Sequence, residues 1–190
     1  MAVILVQHAM AQAERGVPSA RWVLSEAAKE DCVLLAHALP QNLGPVVYSS
    51  GKPKASETAA VIALRRGLRT ETDERLREVD QPPDWVDDYR AIALAYLAGS
   101  DGFGWEPPAA VARRVSAAVD DAMEGSDGVD VILVSHGLAI SIWVAQAVGS
   151  RLPAFELATF WRELTFPDAW RVDARSGTLQ RVLNAGMYGA

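Results

Sequence analysis

The chain has one cysteine in 190 residues, Cys32, so no disulfide can form within it, and a reducing compartment, the cytoplasm, is the expected setting. Cys32 lies in an apolar helical stretch with Leu35, Ala36 and Leu39 and reads as packing rather than as a reactive thiol. Basic residues are in deficit: 18 Lys and Arg stand against 24 Asp and Glu, a formal net charge of −6. A nucleic-acid binder needs a basic face, so that class is set aside. A small anionic substrate is not, because one pocket can be positive on an acidic protein. The opening Met1-Ala2-Val3-Ile4-Leu5-Val6 lacks the basic residues and the long apolar run of a signal peptide. Residues 131–149 carry no Asp, Glu, Lys or Arg and approach the length of a membrane span, but Ser135-His136-Gly137 interrupts them, and Ser141 and Gln146 follow. A buried strand, a tight polar loop and a buried helix account for this segment, and no membrane partner is expected. Repeats, low-complexity tracts and linkers are absent. Half of the residues are hydrophobic, enough for one domain over residues 1–190.

What is present is an alternation of short apolar runs and helical stretches. Residues 2–6 read as a strand buried on both faces. Ser25 is a candidate cap for a helix over 26–39, which Pro40 closes. Residues 45–49 form a second strand. Pro53 suits the first turn of a helix over 54–66, whose apolar stripe is Ala55, Thr58, Ala59 and Ile62, and Gly67 ends it. A third strand is expected over 68–72. Residues 80–106 differ in kind, with prolines, acids and aromatics but no β pattern, and predict a helical insertion or lid with a helix over 85–98. A long helix follows over 107–123, then a buried strand over 131–134 and a helix over 138–148. The tail alternates at 164–166, 170–173 and 179–183, with Ser176-Gly177 as a hairpin turn. This order implies an α/β three-layer sandwich with a mostly parallel central sheet, an antiparallel edge contribution and a short helical insertion.

In such sheets ligands bind beyond the carboxyl ends of the strands. The residues found there are Gln7-His8-Ala9, then Ser49-Ser50-Gly51-Lys52-Pro53-Lys54, then Leu76-Arg77-Glu78, then Ser135-His136-Gly137. Two of the three histidines follow buried strands directly, whereas His37 sits within a helix and reads as structural. The set suits phosphoryl transfer. A neutral imidazole can attack phosphorus, cations and N–H donors hold the charge on the transferring group, and a carboxylic acid protonates the leaving oxygen. His8 is the candidate nucleophile, His136 and Lys54 the charge stabilisers, and Glu78 the acid and base.

These motifs, in this order, resemble the histidine phosphatase (phosphoglycerate mutase-like) superfamily. The family's Leu-Val-Arg-His-Gly is answered by Leu5-Val6-Gln7-His8-Ala9. Its Ser-Ser-Pro-x-x-Arg-Ala-x-Gln-Thr-Ala is answered by Ser49-Ser50-Gly51-Lys52-Pro53-Lys54-Ala55-Ser56-Glu57-Thr58-Ala59. Its Leu-x-Glu and late Ser-His-Gly are answered by Leu76-Arg77-Glu78 and Ser135-His136-Gly137, and Trp22-Val23-Leu24-Ser25-Glu26 is similar to its Leu-Thr-x-x-Gly. The resemblance implies a phosphohistidine on His8, phosphoryl contacts from His136, proton donation by Glu78, and substrate binding by Gln7, Lys54 and Gly137. It implies a small phosphorylated substrate, no metal and no organic cofactor, in a monomer or homodimer.

The departures fall on the phosphate pocket. Gln7 and Lys54 stand where the family has arginine, Ala9 where it has glycine, and Glu14 where a neutral polar residue is usual. Gln7 loses a charge and a planar fork, Lys54 keeps the charge as a point contact, and Glu14 facing the site would repel phosphate. Lys52, Arg15 and Arg77 lie nearby in sequence, either to compensate or as solvated charges. Trp85, Tyr89, Phe103 and Trp105 either line the entrance or anchor the insertion. Two functions follow: a phosphomonoesterase with a weakened pocket, favoured by the retention of His8, Glu78 and His136, or an impaired relative that binds a ligand or partner, favoured by the loss of both arginines.

Overall fold

The computed structural model describes residues 1–82, 87–152 and 155–182. Three short, largely apolar runs form the parallel strands β1 (Val3–Gln7), β2 (Leu43–Ser49) and β4 (Asp130–Ser135), and the polar, exposed segment Arg69–Thr72 adds the parallel edge strand β3. The tail supplies β5 (Asp168–Asp173), antiparallel to β1, and β6 (Thr178–Arg181), antiparallel to β5, joined through Gly177 at φ +72°. Together they make a six-stranded sheet in the order β3-β2-β4-β1-β5-β6. β1 and β4, at its centre, are buried along their whole length.

The side-chain alternation of β1 and β4 builds two cores. Ile4, Val6, Ile132 and Val134 pack with α1 (Glu26–Ala38) and α2 (Pro53–Arg66). Val3, Leu5, Val131 and Leu133 pack with α4 (Pro108–Glu124) and α5 (Gly137–Ala147). The three-layer α/β architecture is therefore as expected. Ser25 caps α1 by accepting from the Ala28 N–H at 3.0 Å, Pro53 opens α2, and Gly67 ends it in the left-handed region. Cys32 is fully buried, and burial pushes its thiol up to about 11.

The expected elements are modified in three places. The insertion helix is α3 (Tyr89–Leu97), shorter than 85–98, and the start of that expected helix, with Trp85, lies partly outside the described residues. A helix not foreseen, α6 (Leu157–Glu163), precedes β5, and residues 164–166 form an irregular connection rather than a strand. Phe160 is the only fully buried residue of α6, packing against Phe155 and Trp170, so α6 has no apolar period to betray it. His37 lies in the last turn of α1 with its side chain exposed.

Candidate active site

The parallel strands end together, and hydrogen bonds extend their pairing by one rung. The His8 N–H donates to Ser135 O at 3.1 Å, and the Ser50 N–H donates to Val134 O at 3.2 Å. This brings His8 and His136 edge to face, with ring centres 5.0 Å apart, and sets the Ser50 hydroxyl 2.7 Å from His136 Nε2. His8 Nδ1 lies 2.7 Å from its neighbour's carbonyl, Ala9 O. A carbonyl only accepts, so Nδ1 carries the proton and Nε2 keeps a free lone pair. Burial first, and the Lys54 charge second, lower the His8 pKa to about 3, so the ring is neutral at any ordinary pH. His136 is fully buried, and burial followed by His8 and Lys54 holds its pKa well below the usual range.

Lys54 occupies the first turn of α2 and makes no hydrogen bond or salt bridge with a described residue. Its ammonium sits 5.7 Å from the centre of the Trp22 ring, and burial lowers its pKa while Glu78 opposes that shift. Glu78 follows a 3₁₀ turn, Glu74–Leu76, whose Leu76 carbonyl accepts from the Ser135 hydroxyl at 2.7 Å. Its carboxyl group caps α5, accepting from Ala139 N at 3.0 Å and Leu138 N at 3.3 Å, and from Val79 N at 3.0 Å. Burial dominates and raises the Glu78 pKa, against the pull of those N–H groups and Lys54.

Gln7 is 3% exposed. Of the three buried side-chain polar atoms without a partner among the described residues, two belong here, Gln7 Oε1 and His136 Nδ1. A Cβ on Gly137 would stand 3.0 Å from Gln7 Oε1 and 3.1 Å from Trp161 Nε1, so close approach is what requires glycine there. The six residues expected at the site, His8, Gln7, Lys54, Glu78, His136 and Gly137, are thus brought together at the carboxyl end of the sheet.

The neighbouring residues are placed differently from one another. Ala9 packs with Leu24, Ala28 and Cys32, so its methyl group fills a satellite core beside the pocket. Glu14 and Arg15 are exposed. Arg77 is paired with Asp80 at 2.8 Å and with Glu106 at 3.6 Å. Lys52 is half-buried, and its charge reaches both His136 and Lys54. In the insertion, Tyr89 stacks on Trp105, Tyr96 and Phe103 meet it at a tilt of 53°, and Phe103 and Trp105 pack on the core, which makes the latter two anchors. Tyr89 is 38% exposed, and its hydroxyl accepts from Gln81 Nε2 at 3.1 Å. No cluster of three or more His, Cys, Asp or Glu positioned to hold a metal ion occurs among the described residues.

The family model of the histidine phosphatase superfamily (branch 1) matches residues 3–163. The chain belongs to the histidine phosphatase superfamily. Solved structures share the fold. A mycobacterial glucosyl-3-phosphoglycerate phosphatase in complex with VO3 is 21% identical, with a TM-score of 0.73 over 95% of this chain and 96% of that one. Bacillus stearothermophilus YhfR is 21% identical at TM-score 0.66, covering 96% of each chain. Phosphoglycerate mutase from Bacillus anthracis is 18% identical at TM-score 0.66, over 95% of this chain and 90% of that one. A search of curated proteins returned no match.

Sequence reading missed four residues of this histidine phosphatase site. Ser50 lay inside a quoted motif, but its bond to His136 was not foreseen. Arg114 of α4 donates to the carbonyls of Arg75, Arg77 and Glu78 and pairs with Glu106 at 2.8 Å. Trp161 reaches Gly137 from α6, and Phe166 lies with its ring centre 5.4 Å from that of His8. Nothing local in the sequence marks the last three. No helix of the described residues is long and apolar enough to cross a membrane.

Proposed function

We propose that the protein is a phosphomonoesterase that works through a phosphohistidine on His8. The observation that carries this reading is the bare, neutral Nε2 of His8, set beside His136 and within the field of Lys54. In the first step the Nε2 lone pair attacks phosphorus, the P–O bond to the organic group breaks, and the leaving oxygen takes the proton of the Glu78 carboxyl group. The raised pKa of Glu78 favours the protonated form this step needs. In the second step a water oxygen attacks phosphorus, the P–N bond breaks with its electrons returning to Nε2, and Glu78 recovers a proton from the water. His8 Nδ1–H stays on Ala9 O throughout and holds the ring in place. Lys54, the Gln7 carboxamide and the His136 ring supply charge and donors for the phosphoryl oxygens.

A second reading, an impaired relative that binds a ligand or partner, draws on Gln7 and Lys54 in place of arginines and on the unpartnered Gln7 Oε1. Phosphate release and acid-labile phosphate on His8, measured over a panel of phosphomonoesters, separate the two. Release and labelling that vanish in His8→Asn are expected. A folded protein with neither, across the panel, leaves the second reading.

A further inference from the structure

We infer that the site selects a phosphomonoester with an aromatic, otherwise uncharged organic group, held against a wall built by Phe166 and Trp161. This rests on the phosphatase reading and names its substrate class. β5 pairs with β1 with Asp168 opposite Gln7, so the residues just before Asp168 project past the carboxyl end of β1, on the flank of His8 away from β4. Phe166 is one of them. Its ring is tilted 46° to that of His8, and it is 38% exposed. Most large hydrophobic side chains of this protein are covered, and an exposed ring in contact with a buried histidine is surface that a ligand would remove from water. Trp161 extends the wall from α6. It is half-buried, and its indole N–H, beside Gly137 and Gln7, makes no hydrogen bond with a described residue.

The charges around the pocket agree with this wall. A bound phosphoryl group takes Lys54. Arg114, whose field also reaches His136, is spent on Glu106, with the two side chains 10% and 11% exposed. Arg77 is spent on Asp80 and Glu106. Among the described residues, Lys52 is then the one remaining cation whose charge reaches His136, and it is only half-buried. A second carboxylate or phosphate on the substrate would find one half-exposed lysine and no free fork on Arg77 or Arg114, whereas a phenyl ring would find Phe166 and Trp161.

The test uses alkyl phosphates, so that leaving-group reactivity does not decide the outcome: 2-phenylethyl phosphate, glycerol 1-phosphate and 3-phosphoglycerate. The phenyl compound is expected to have the highest kcat/KM, by about ten-fold, the scale of one ring–ring contact. In Phe166→Ala the phenyl-to-glycerol ratio of kcat/KM is expected to fall by a similar factor, mainly through KM, with the thermal midpoint retained. Equal rates for the three substrates, or a loss in Phe166→Ala that is the same for phenyl and glycerol compounds, would overturn the inference. Calorimetric binding of 2-phenylethylphosphonate against propylphosphonate reads the same preference without turnover. If no substrate is hydrolysed but the phenyl phosphonate still binds preferentially and loses that preference in Phe166→Ala, the phosphatase reading fails and the aromatic wall stands. If neither phosphonate is preferred, the wall is overturned whatever the activity.

Discussion

Gln7 is 3% exposed, and its Oε1 lacks a partner among the described residues. Its position at the end of β1, one residue before His8, sets it against Gly137 and inside the phosphate pocket. A carboxamide offers a neutral donor where a guanidinium would offer charge and two parallel N–H groups. A hydrogen bond to a charged partner contributes roughly 1.5–3 kcal/mol, so Gln7→Arg is expected to raise kcat/KM for a simple phosphomonoester by about ten-fold or more. Steady-state kinetics check this, and an unchanged rate would place the Gln7 side chain outside the phosphate contacts. At this scale much of the site was legible. His8, Glu78 and His136 each follow an expected strand, and strand ends are where an α/β sheet binds ligands. Trp161 and Phe166 were not legible, because they reach His8 only through the pairing of β5 with β1 and the seating of α6, both of which join distant parts of the chain. The setting of Ala9 was not legible for a related reason: it packs with Leu24, Ala28 and Cys32, contacts that a local motif does not contain.

Helix α4 carries a device that its sequence hides. Its buried stripe, including Val111, Ala112, Val115, Ala118 and Val119, was readable as a helix face, but nothing distinguishes Arg114 from its neighbour Arg113. Arg114 donates from Nη1 to Arg75 O and Arg77 O, both at 2.7 Å, and from Nη2 to Glu78 O at 3.0 Å. Its other donors meet Glu106 at 2.9 and 2.8 Å, and the Glu106 carbonyl accepts from the Tyr96 hydroxyl at 2.7 Å. One guanidinium therefore ties α4, the end of the insertion and the segment that carries Glu78. Arg77, 3.6 Å from Glu106, still offsets part of the Glu106 charge, so removing Arg114 should cost about 2–3 kcal/mol, below the full cost of an uncompensated buried charge. Arg114→Met should lose that much stability in urea unfolding, while Arg114→Met combined with Glu106→Leu should recover part of it. A double variant no more stable than the single would show that the backbone contacts, not the ion pair, dominate. α6 makes the complementary point, since a helix with one buried residue is held by where it docks rather than by its own pattern.

For the molecule as a whole, the site fixes how stability responds to pH. His8 and His136 are buried and neutral, with pKa values lowered first of all by burial, His8 to about 3. Below the unfolded value of about 6.5 the unfolded chain binds protons on both while the folded chain binds neither, so these residues cost stability as pH falls through that value. Glu78 acts in the opposite sense. Its folded pKa is raised, so as pH falls toward the unfolded value of about 4.3 the folded chain takes up its proton first and gains stability. Asp73 and Asp80 are held low by hydrogen bonds from Arg75 and Arg77 and release their contribution only at lower pH. Between pH 6 and 5 two histidines therefore oppose one glutamate, and the unfolding free energy should drop as pH falls, each histidine contributing at most about 1.4 kcal/mol per pH unit. His8→Asn removes one histidine and should make the drop shallower, while Glu78→Gln removes the opposing group and should steepen it. Urea midpoints at the two pH values read all three proteins. A slope unchanged by His8→Asn would mean that His8 is charged or solvated in the folded state, and the neutral nucleophile on which the proposed chemistry depends would be lost with it.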